Sequence, residues 1–329
     1  MKVLVTGASG MLGSATARAL AARGDRVTVL QRRPADLGLP EVLADVADIE
    51  AMRRAVSGHD AVVHLAAKVD VTGPWAAYAR ANIGGTRSVI AACRAGTVER
   101  LVHVSTPSVA HAGDSLVGAD AAPADPARAR GPYAQSKAEA ELIALEANGI
   151  DLAVTAIRPH LVWGPGDTQL VSRVVARARA GRLVLVGSGT ALIDSTYVDN
   201  AAAALLAALD RCTHVAGQAL VVTNGEPRPV AEMLAGICAA AGVPGPRRRV
   251  PRRLAFTAGL LVEGLWAARA RAGMTGEPPM TRFVVEQMST AHWFDQRKTQ
   301  ELLQWRPTVS LDQGFEALAS WFRRSGTRG

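Results

Sequence analysis

The first half of the chain alternates short apolar runs with segments in which apolar residues recur at helical spacing. Strands are predicted at Lys2–Val5, Arg26–Leu30, Val42–Asp45, Ala61–Ala66, Leu101–Ser105 and Asp151–Ile157. The helices predicted between them are Met11–Arg23, Ile49–Val56, Trp75–Ala95 and Tyr133–Asn148. Buried strands that alternate with helices indicate an α/β fold with a doubly wound parallel sheet and right-handed crossovers. Such sheets bind ligands beyond the carboxyl ends of their strands, so the residues after each strand are the candidates for chemistry.

The second half predicts a smaller α/β lobe that closes over the first domain. A strand at Arg182–Val186, an alanine-rich helix that begins at Asp194–Asn200 and a strand at Leu220–Thr223 belong to it. We place one domain at residues 1–159 and the lobe at 160–329, and expect parts of 182–210 to return to the first domain. The apolar stretch 254–272 is too short and too interrupted for a membrane span. A packed helix is the favoured interpretation, and it is compatible with an apolar lid or a peripheral membrane contact.

Composition narrows the class of protein only modestly. A chain of 329 residues with 49% hydrophobic and 20% charged residues has ample material for a globular core. The net charge of +8 comes without aromatic interleaving or a nucleic-acid motif, which argues against a nucleic-acid partner. Cys93, Cys212 and Cys238 lack the spacing of metal ligands, so we expect no metal and a reducing compartment. Met1-Lys2 runs straight into the first strand and leaves no room for a signal peptide, which predicts a cytoplasmic protein.

A glycine-rich turn joins the first strand to the first helix. Gly7, Gly10 and Gly13 follow one another at three-residue spacing. In a strand–turn–helix context these glycines permit a tight turn, the approach of a phosphate and close helix packing. The helix N-terminus offers unpaired N–H groups to a pyrophosphate. We therefore predict a dinucleotide site that includes Thr6, Gly7, Ser9, Gly10, Met11, Leu12 and Gly13.

The end of the second strand bears on which dinucleotide binds. Gln31, Arg32 and Arg33 stand where an NAD-binding protein usually places an acidic residue. Two arginines can pair with a 2′-phosphate, so NADP(H) is preferred over NAD(H); the alternative is two solvated loop arginines. Further cofactor contacts are predicted after the third strand, at Asp45 and Val46, and after the fourth, at Leu65, Ala66 and Ala67.

Hydroxyl groups after the fifth strand and a Tyr-x-x-x-Lys pair form the candidate catalytic group. Ser105 and Thr106 end the strand, and Tyr133 and Lys137 lie on one face of the following helix because they are four residues apart. An ammonium beside a phenol favours the phenolate, so we expect Lys137 to lower the pKa of Tyr133. A tyrosine tuned in this way can act as a general acid or base, with a hydroxyl nearby to orient the substrate oxygen.

The chain resembles the extended short-chain dehydrogenases/reductases, the superfamily that includes sugar-nucleotide epimerases and 3β-hydroxysteroid dehydrogenases. The markers are Thr6-Gly7-x-x-Gly10-x-x-Gly13, His64-Leu65-Ala66-Ala67, Asn82-Ile83-x-Gly85-Thr86, Ser105-Thr106, Tyr133-x-x-x-Lys137, Arg158-Pro159 and Phe294-Asp295-x-x-Lys298. The resemblance implies a Rossmann-type sheet with Tyr133 as proton donor or acceptor, Lys137 as its electrostatic partner and Thr106 as the catalytic hydroxyl. It also implies that Ser105, Tyr133, Lys137 and Pro159 contact the cofactor, and that Asn82 supports the fold. A homodimer that pairs the Trp75–Ala95 and Tyr133–Asn148 helices is common in the superfamily.

Longer stretches resemble the 3β-hydroxysteroid dehydrogenase-like branch and, within it, the bacterial 2-alkyl-3-oxoalkanoate reductases of olefin biosynthesis. They are Ser105-Thr106-Pro107-Ser108-Val109-x-His111, Leu161-x-Trp163-Gly164-Pro165-Gly166-Asp167, Asp194 to Asn200, Thr223 to Pro227 and Thr281-Arg282-Phe283-x-Val285-Glu286-Gln287. The implied substrate is an apolar β-keto acid or a sterol-like ketone. A β-keto acid requires a cation for its carboxylate, and the candidates left open are Lys68, His160, Arg158 and Arg173. Ser108 and Trp163 are further candidates for substrate contact.

Two alternatives to a ketone reductase remain open: a nucleotide-sugar epimerase or dehydratase, and a non-catalytic dinucleotide sensor. A nucleotide-sugar dehydratase of this fold follows its catalytic threonine with an acidic pair, whereas Thr106 is followed by Pro107-Ser108. An epimerase often carries an aromatic-Asn pair near the Arg-Pro strand, and His160 to Trp163 depart from that pattern. A non-catalytic dinucleotide sensor usually loses the Tyr/Lys pair, which this chain retains.

Overall fold

The protein was analysed as a computed structural model that describes residues 1–70, 73–111, 113–271 and 282–326. Its strands are β1 (Lys2–Thr6), β2 (Arg26–Gln31), β3 (Glu41–Leu43), β4 (Ala61–His64), β5 (Arg100–Val104), β6 (Leu116–Ala119), β7 (Ala153–Pro159), β8 (Val162–Trp163), β9 (Val184–Val186), β10 (Leu192–Ile193), β11 (Thr196–Tyr197), β12 (Ala219–Val222), β13 (Arg228–Pro229), β14 (Arg248–Val250) and β15 (His292–Phe294).

The helices cover both faces of the largest sheet and form most of the second lobe. They are α1 (Met11–Ala22), α2 (Ile49–Val56), α3 (Trp75–Tyr78), α4 (Gly85–Ala95), α5 (Gly131–Glu146), α6 (Leu170–Arg179), α7 (Val198–Asp210), α8 (Val230–Ala240), α9 (Arg252–Arg271), α10 (Arg282–Ser289), α11 (Arg297–Leu303) and α12 (Leu311–Gly326). A π-helical turn, Ala79–Gly84, connects α3 to α4, and a 3-10 helix, Pro107–Ala110, follows β5.

Seven parallel strands form one sheet in the order β12-β7-β5-β4-β1-β2-β3. The prediction of a doubly wound parallel sheet is confirmed. The strand order reverses between β1 and β4, which makes the crevice beyond their carboxyl ends the expected place for a ligand. Val3 and Val5 point into a core on one side of the sheet, and Leu4 points into the core on the other side.

Two elements of the second half pack with the first domain. Strand β12, which corresponds to the predicted strand at Leu220–Thr223, pairs with β7 and forms an edge of the large sheet. Helix α7 places Ala204 and Leu205 in the same core as Leu20 of α1. By contrast, β9 pairs with β14 in a separate two-stranded sheet. The chain after residue 160 therefore supplies both the second lobe and one layer of the first.

Most of the small strands were not predicted from the sequence. Strand β6 lies between Gly113 and Gly131, where no strand or helix was predicted, and it pairs in parallel with β15. Together with β10 and β13 these strands form a four-stranded sheet in the second lobe. Strands of two to four residues are too short to carry an alternating pattern, and their pairing is decided by segments far apart in the chain.

The helix predicted at Trp75–Ala95 is interrupted by the π-helical turn. This wider turn contains Asn82, whose amide donates to the Ser136 hydroxyl at 2.9 Å and whose amide oxygen accepts from the Lys68 main-chain N at 2.7 Å. Asn82 thus connects α5 to the segment after β4, in agreement with the supporting role expected for it. π-Helical turns inserted in α-helices are common beside functional sites.

Helix α9 covers most of the apolar stretch 254–272, whose last residue lies outside the described ranges. Ala255 is buried with Val186 and Val285, whereas Leu254, Leu261 and Leu265 are between 56% and 70% exposed. Glu263 binds the Arg282 side chain at 2.7 Å and thereby joins α9 to α10. Within the described ranges, no helix of the protein is both long and apolar enough to cross a membrane.

Candidate active site

The glycine turn between β1 and α1 forms a cradle whose glycines have different reasons to be present. Gly7 has a φ of +80°, and a Cβ there would lie 2.8 Å from the Ala66 Cα. A Cβ on Gly13 would lie 2.3 Å from the Gly7 carbonyl oxygen, so neither position accepts a side chain. A Cβ on Gly10 would meet only the Gly7 oxygen, at 3.5 Å, and would fill the space in front of the helix. This cradle fits the pyrophosphate of a dinucleotide.

Thr6 supports the cradle from behind. Its hydroxyl lies 2.8 Å from His64 Nδ1 and accepts from the Ala66 main-chain N at 3.2 Å. These contacts connect the carboxyl ends of β1 and β4, the two strands on either side of the crevice. Thr6, predicted as a cofactor residue, therefore also fixes the position of the turn.

A cavity of about 370 Å³ lies beside the ends of β2, β3 and β4. Arg32, Asp45, Ala67 and Lys68 contribute to its wall, so the structure brings together four predicted site residues from three strand ends. Arg80 also lines it and donates to the Asp45 carboxylate at 3.0 Å. The position beyond the crevice fits the adenosine half of a dinucleotide.

Three other predicted cofactor residues do not line this cavity. Two of them make contacts within the protein, and the third is exposed. Gln31 is buried, and its amide donates to the Glu41 carboxylate, which also accepts from the Ala35 main-chain N at 2.8 Å. A Cβ on Gly85 would lie 2.8 Å from Val46 Cγ2, so the Val46 side chain packs against the start of α4. Arg33 is exposed.

Hydroxyl groups converge at the carboxyl end of β5. The Thr106 side chain interacts with the phenol of Tyr133, which lies in the first turn of α5, and its hydroxyl donates to that of Ser108 at 3.4 Å. The Ser105 hydroxyl is buried and has no hydrogen-bond partner in the described part of the protein. Because a buried hydroxyl without a partner is unfavourable, Ser105 is suited to bind a polar group of a ligand at this strand end. The predicted neighbourhood of Ser105, Thr106 and Tyr133 is thus present in the structure.

The family model described as the NAD dependent epimerase/dehydratase family matches residues 3–222. The chain belongs to this family. It is 42% identical to the 2-alkyl-3-oxoalkanoate reductase of Stenotrophomonas maltophilia over 97% of this chain and 98% of that protein. It is 28% identical to a 3-beta-hydroxysteroid dehydrogenase of Mycolicibacterium neoaurum over 95% of this chain and 88% of that protein.

A solved structure of MoeE5 in complex with UDP-glucuronic acid and NAD superposes on 99% of this chain and 100% of that one, with a TM-score of 0.75 and 27% identity. The predicted superfamily and branch are confirmed. The chain is an oxidoreductase of this nicotinamide-dinucleotide-dependent family.

The expectation that Lys137 lowers the pKa of Tyr133 is wrong for the protein alone. Burial raises the pKa of Tyr133 to about 12, and only its interaction with the Thr106 side chain opposes that shift. The Lys137 ammonium donates instead to the Val104 carbonyl oxygen at 2.7 Å and lies 3.4 Å from His103 Nε2. Tyr133 therefore holds its proton at neutral pH and is an acid rather than a base in this state.

The pKa of the Lys137 ammonium is shifted far from its ordinary value. Burial lowers its pKa to about 8, although Glu141 acts in the opposite direction. Burial also lowers the pKa of His64 to about 3 and that of His103 well below its usual value, so both imidazoles are neutral. A strongly perturbed lysine such as Lys137, on α5 beside the end of β5, is the kind of group that clusters at functional sites.

The four candidates for binding a substrate carboxylate differ in their partners and in where they lie. Arg158 is buried and pairs through two nitrogens with Glu141, with Nε 2.8 Å from the carboxylate, so it is not available. Lys68 pairs with Asp70 and lines the cofactor-side cavity. Arg173 lies on α6, where it acts electrostatically on Asp167.

His160, the fourth candidate, lines a second and much smaller cavity next to Ser108. The prediction that Trp163 contacts substrate is not supported, because its side chain is fully buried. Its indole N–H donates to Ser195 at 3.0 Å and its ring stacks on Phe315.

The sequence analysis missed residues that lie beside His160. His111 and His292 line the same small cavity, with their Nε2 atoms 2.9 Å apart. His111 stands in a stretch that the resemblance marked, but no spacing connects it to a residue 181 positions later. No group of three or more His, Cys, Asp or Glu side chains within the described ranges is placed to hold a metal ion.

Proposed function

We propose that the protein is an NADPH-dependent reductase that converts a 2-alkyl-3-oxoalkanoate, a β-keto acid with apolar chains, into the corresponding hydroxy acid. The observation that carries the proposal is the meeting of Thr106 and a protonated Tyr133 at the end of β5, two strands along the sheet from the glycine cradle at the end of β1. The name of the relative from Stenotrophomonas maltophilia, a 2-alkyl-3-oxoalkanoate reductase, supports the choice of substrate. A sterol-like ketone is the second candidate, supported by the dehydrogenase from Mycolicibacterium neoaurum.

The chemistry divides between the cofactor and residues of this chain. When bound, the nicotinamide supplies the hydride for the carbonyl carbon. Tyr133 donates its phenolic proton to the oxygen on which negative charge develops, and Thr106 orients that oxygen by a hydrogen bond. The glycine cradle and the N-terminus of α1 hold the pyrophosphate, and Lys137 holds the ribose hydroxyls. Ser105 and Pro159, at the ends of β5 and β7, border the nicotinamide.

The proposal is tested by NADPH oxidation with a panel of β-keto acids and 3-keto sterols. We expect turnover with long-chain 2-alkyl-3-oxo acids and little with sterols. A protein whose melting temperature rises with UDP-sugars in the presence of NADP, and which reduces no ketone, would instead be a nucleotide-sugar enzyme.

We infer that Arg32 gives the preference for NADP(H). It lines the adenosine-side cavity with Asp45, at the strand end where a 2′-phosphate is expected. Replacing Arg32 by serine should raise the KM for NADPH about 10-fold to 100-fold because a charge-assisted hydrogen bond is lost. The KM for NADH should change little. Arg18, exposed on α1, gives the matched control Arg18→Ser. Equal losses with both cofactors would show that Arg32 does not recognise the phosphate.

We further infer a homodimer that buries α3 and α5. The support is the exposure of two large apolar side chains on these helices, Trp75 at 41% and Leu142 at 42%. Leu142→Glu should convert the dimer into a monomer in light scattering, because a buried charge opposes association. Ile150→Glu, which changes an exposed apolar residue just after α5, should leave the dimer intact. If wild-type protein is monomeric at micromolar concentration, the inference fails.

The peripheral membrane contact of α9 remains a prediction.

A further inference from the structure

Three buried histidines from distant parts of the chain meet beside the candidate active site. His111 follows the 3-10 helix, His160 follows β7, and His292 begins β15. Their exposed fractions are 7%, 7% and 1%. The rings of His111 and His292 are in edge contact with centroids 4.6 Å apart, and those of His160 and His292 are 6.4 Å apart. Neither the cofactor cradle nor the Thr106–Tyr133 pair uses these histidines.

The histidines line a cavity next to the segment that carries the candidate catalytic hydroxyls. Ser108 forms part of its wall, and the Ser108 hydroxyl accepts from the Thr106 hydroxyl at 3.4 Å. Leu116 and Phe294 supply apolar wall. The free space is about 10 Å³, room for about one water molecule and far too little for an alkyl chain. Such a space suits a single oxygen atom of a polar group attached close to the reacting carbonyl.

Two ring nitrogens of the cluster are left without a partner. His292 Nε2 is engaged, because it lies 2.9 Å from His111 Nε2 and 3.1 Å from the Thr290 hydroxyl. The Nδ1 atoms of His160 and His292 are both buried without a partner among the residues that the structure describes. Buried polar atoms without a partner favour the arrival of a polar ligand group.

The charges around the cluster keep it neutral until a ligand arrives. Burial lowers the pKa of His160 to about 3 and that of His292 to about 4, and it also lowers the pKa of His111. Glu286 and Asp114 act on His111 in the opposite direction, but Glu286 is already paired with Arg130. The Asp194 carboxyl has a pKa raised to about 6 by burial and accepts from the Phe294 main-chain N. No net positive charge faces the cavity in the free protein at neutral pH.

We propose that His111, His160 and His292 form a subsite that holds the carboxylate of an acid substrate together with one proton taken from the solvent. The inference rests on the proposed function, because it assigns the carboxylate of the β-keto acid to a place. On binding, one N–H bond forms between the solvent proton and the unprotonated ring nitrogen of His160 or His292. The resulting imidazolium donates to the carboxylate, and no other bond is made or broken. The other cations considered for this role, Arg158 and Lys68, are engaged with Glu141 and Asp70.

Proton uptake gives the subsite a definite pH dependence. The carboxylate raises the pKa of the imidazole that it contacts. Between the low pKa of the free cluster and the higher pKa of the complex, binding consumes one proton, so affinity falls about tenfold per pH unit as the pH rises. The KM for the acid should therefore increase with pH across the neutral range. A neutral methyl ester of the same chain should have a KM without this slope.

The experiment measures proton uptake and kinetics on the full chain. A 2-alkyl-3-hydroxy acid is titrated calorimetrically into the NADPH-loaded protein, which cannot oxidise it, in buffers of different ionisation enthalpy at pH 7. We expect uptake of one proton for the acid and none for its methyl ester. Binding of the acid without proton uptake, with KM values for acid and ester that share one pH profile, would overturn the subsite while leaving the reductase intact. Absence of turnover with either compound would overturn the proposed function and the subsite with it.

Substitutions locate the proton in the cluster. His160→Gln and His292→Gln should each raise the KM for the acid at least tenfold and flatten its pH dependence, with the KM for the ester kept within twofold. His214→Gln, at an exposed histidine, is the matched control and should leave both values unchanged. If the KM values for the acid and the ester rise equally in both variants while NADPH affinity is kept, the cluster has only a structural role. The calorimetric measurement on the wild-type protein decides the case if the variants do not fold.

Discussion

Tyr133→Phe should lower kcat for ketone reduction by about 10²-fold to 10⁴-fold, the range of a single general acid. The phenol interacts with the Thr106 side chain and is protonated at neutral pH. Its loss leaves the developing oxyanion without a proton donor, whereas the cradle for the cofactor is untouched. NADPH binding, followed by fluorescence, should therefore stay within about twofold of wild type because no charge-assisted hydrogen bond to the cofactor is removed.

Tyr197→Phe is the matched control for this substitution. Burial raises the pKa of Tyr197 to about 12 as well, but its ring packs on Trp163 in the core of the second lobe. The control should keep wild-type kcat. A Tyr133→Phe protein that retains most of its turnover would remove Tyr133 from the mechanism and transfer the proton to another group.

The raised pKa of Tyr133 also predicts a difference between the two directions of reaction. Reduction uses the protonated phenol, which persists up to a pH near its pKa of about 12. Oxidation of the alcohol requires the phenolate, whose fraction increases about tenfold per pH unit below that pKa. The oxidation rate should therefore increase with pH through the neutral range, whereas Tyr133 imposes no such dependence on reduction. Rates measured in both directions between pH 6 and 9 check this prediction.

Glu141→Gln should destabilise the fold by about 3–5 kcal/mol, because it leaves the Arg158 guanidinium buried without its counter-charge. Arg158 and Glu141 are 1% and 0% exposed, and the guanidinium also donates to the Ala122 carbonyl oxygen at 2.7 Å. The pair joins β7 to α5, the helix that carries Tyr133 and Lys137. Urea unfolding monitored by circular dichroism measures the loss.

Two further variants distinguish the cost of burying an unpaired charge from the cost of losing an ion-pair contact. The double variant Arg158→Met with Glu141→Leu removes both charges and should recover most of the stability, as apolar replacements of buried pairs do. Glu50→Gln breaks the exposed pair with Arg53 at 2.7 Å and should cost less than about 1 kcal/mol. A loss for Glu141→Gln as small as that for Glu50→Gln would mean that water reaches Arg158.

Several features of the site follow from short stretches of sequence. The spacing of Gly7, Gly10 and Gly13 after an apolar strand predicted the cradle, because a tight turn restricts side chains within a few residues. The four-residue spacing of Tyr133 and Lys137 placed both on one helix, in the neighbourhood of the hydroxyls after β5. Alternating apolar runs and helices predicted the parallel sheet, since buried strands need helices on both faces.

The remaining features depended on packing between distant segments. Sequence spacing predicted a lowered pKa for Tyr133, but desolvation by the folded chain decides the direction and raises it. Arg158 and Trp163 looked available in the sequence, and only burial against Glu141 and Phe315 shows that they are engaged. His111, His160 and His292 meet only through strand pairing across the second lobe. The sequence by itself thus determined the glycine cradle and the placement of Tyr133 and Lys137 on one helix, because local geometry dictates them. Tertiary structure decided which charged and polar groups remain free for substrate, because burial and pairing depend on residues far apart in the chain.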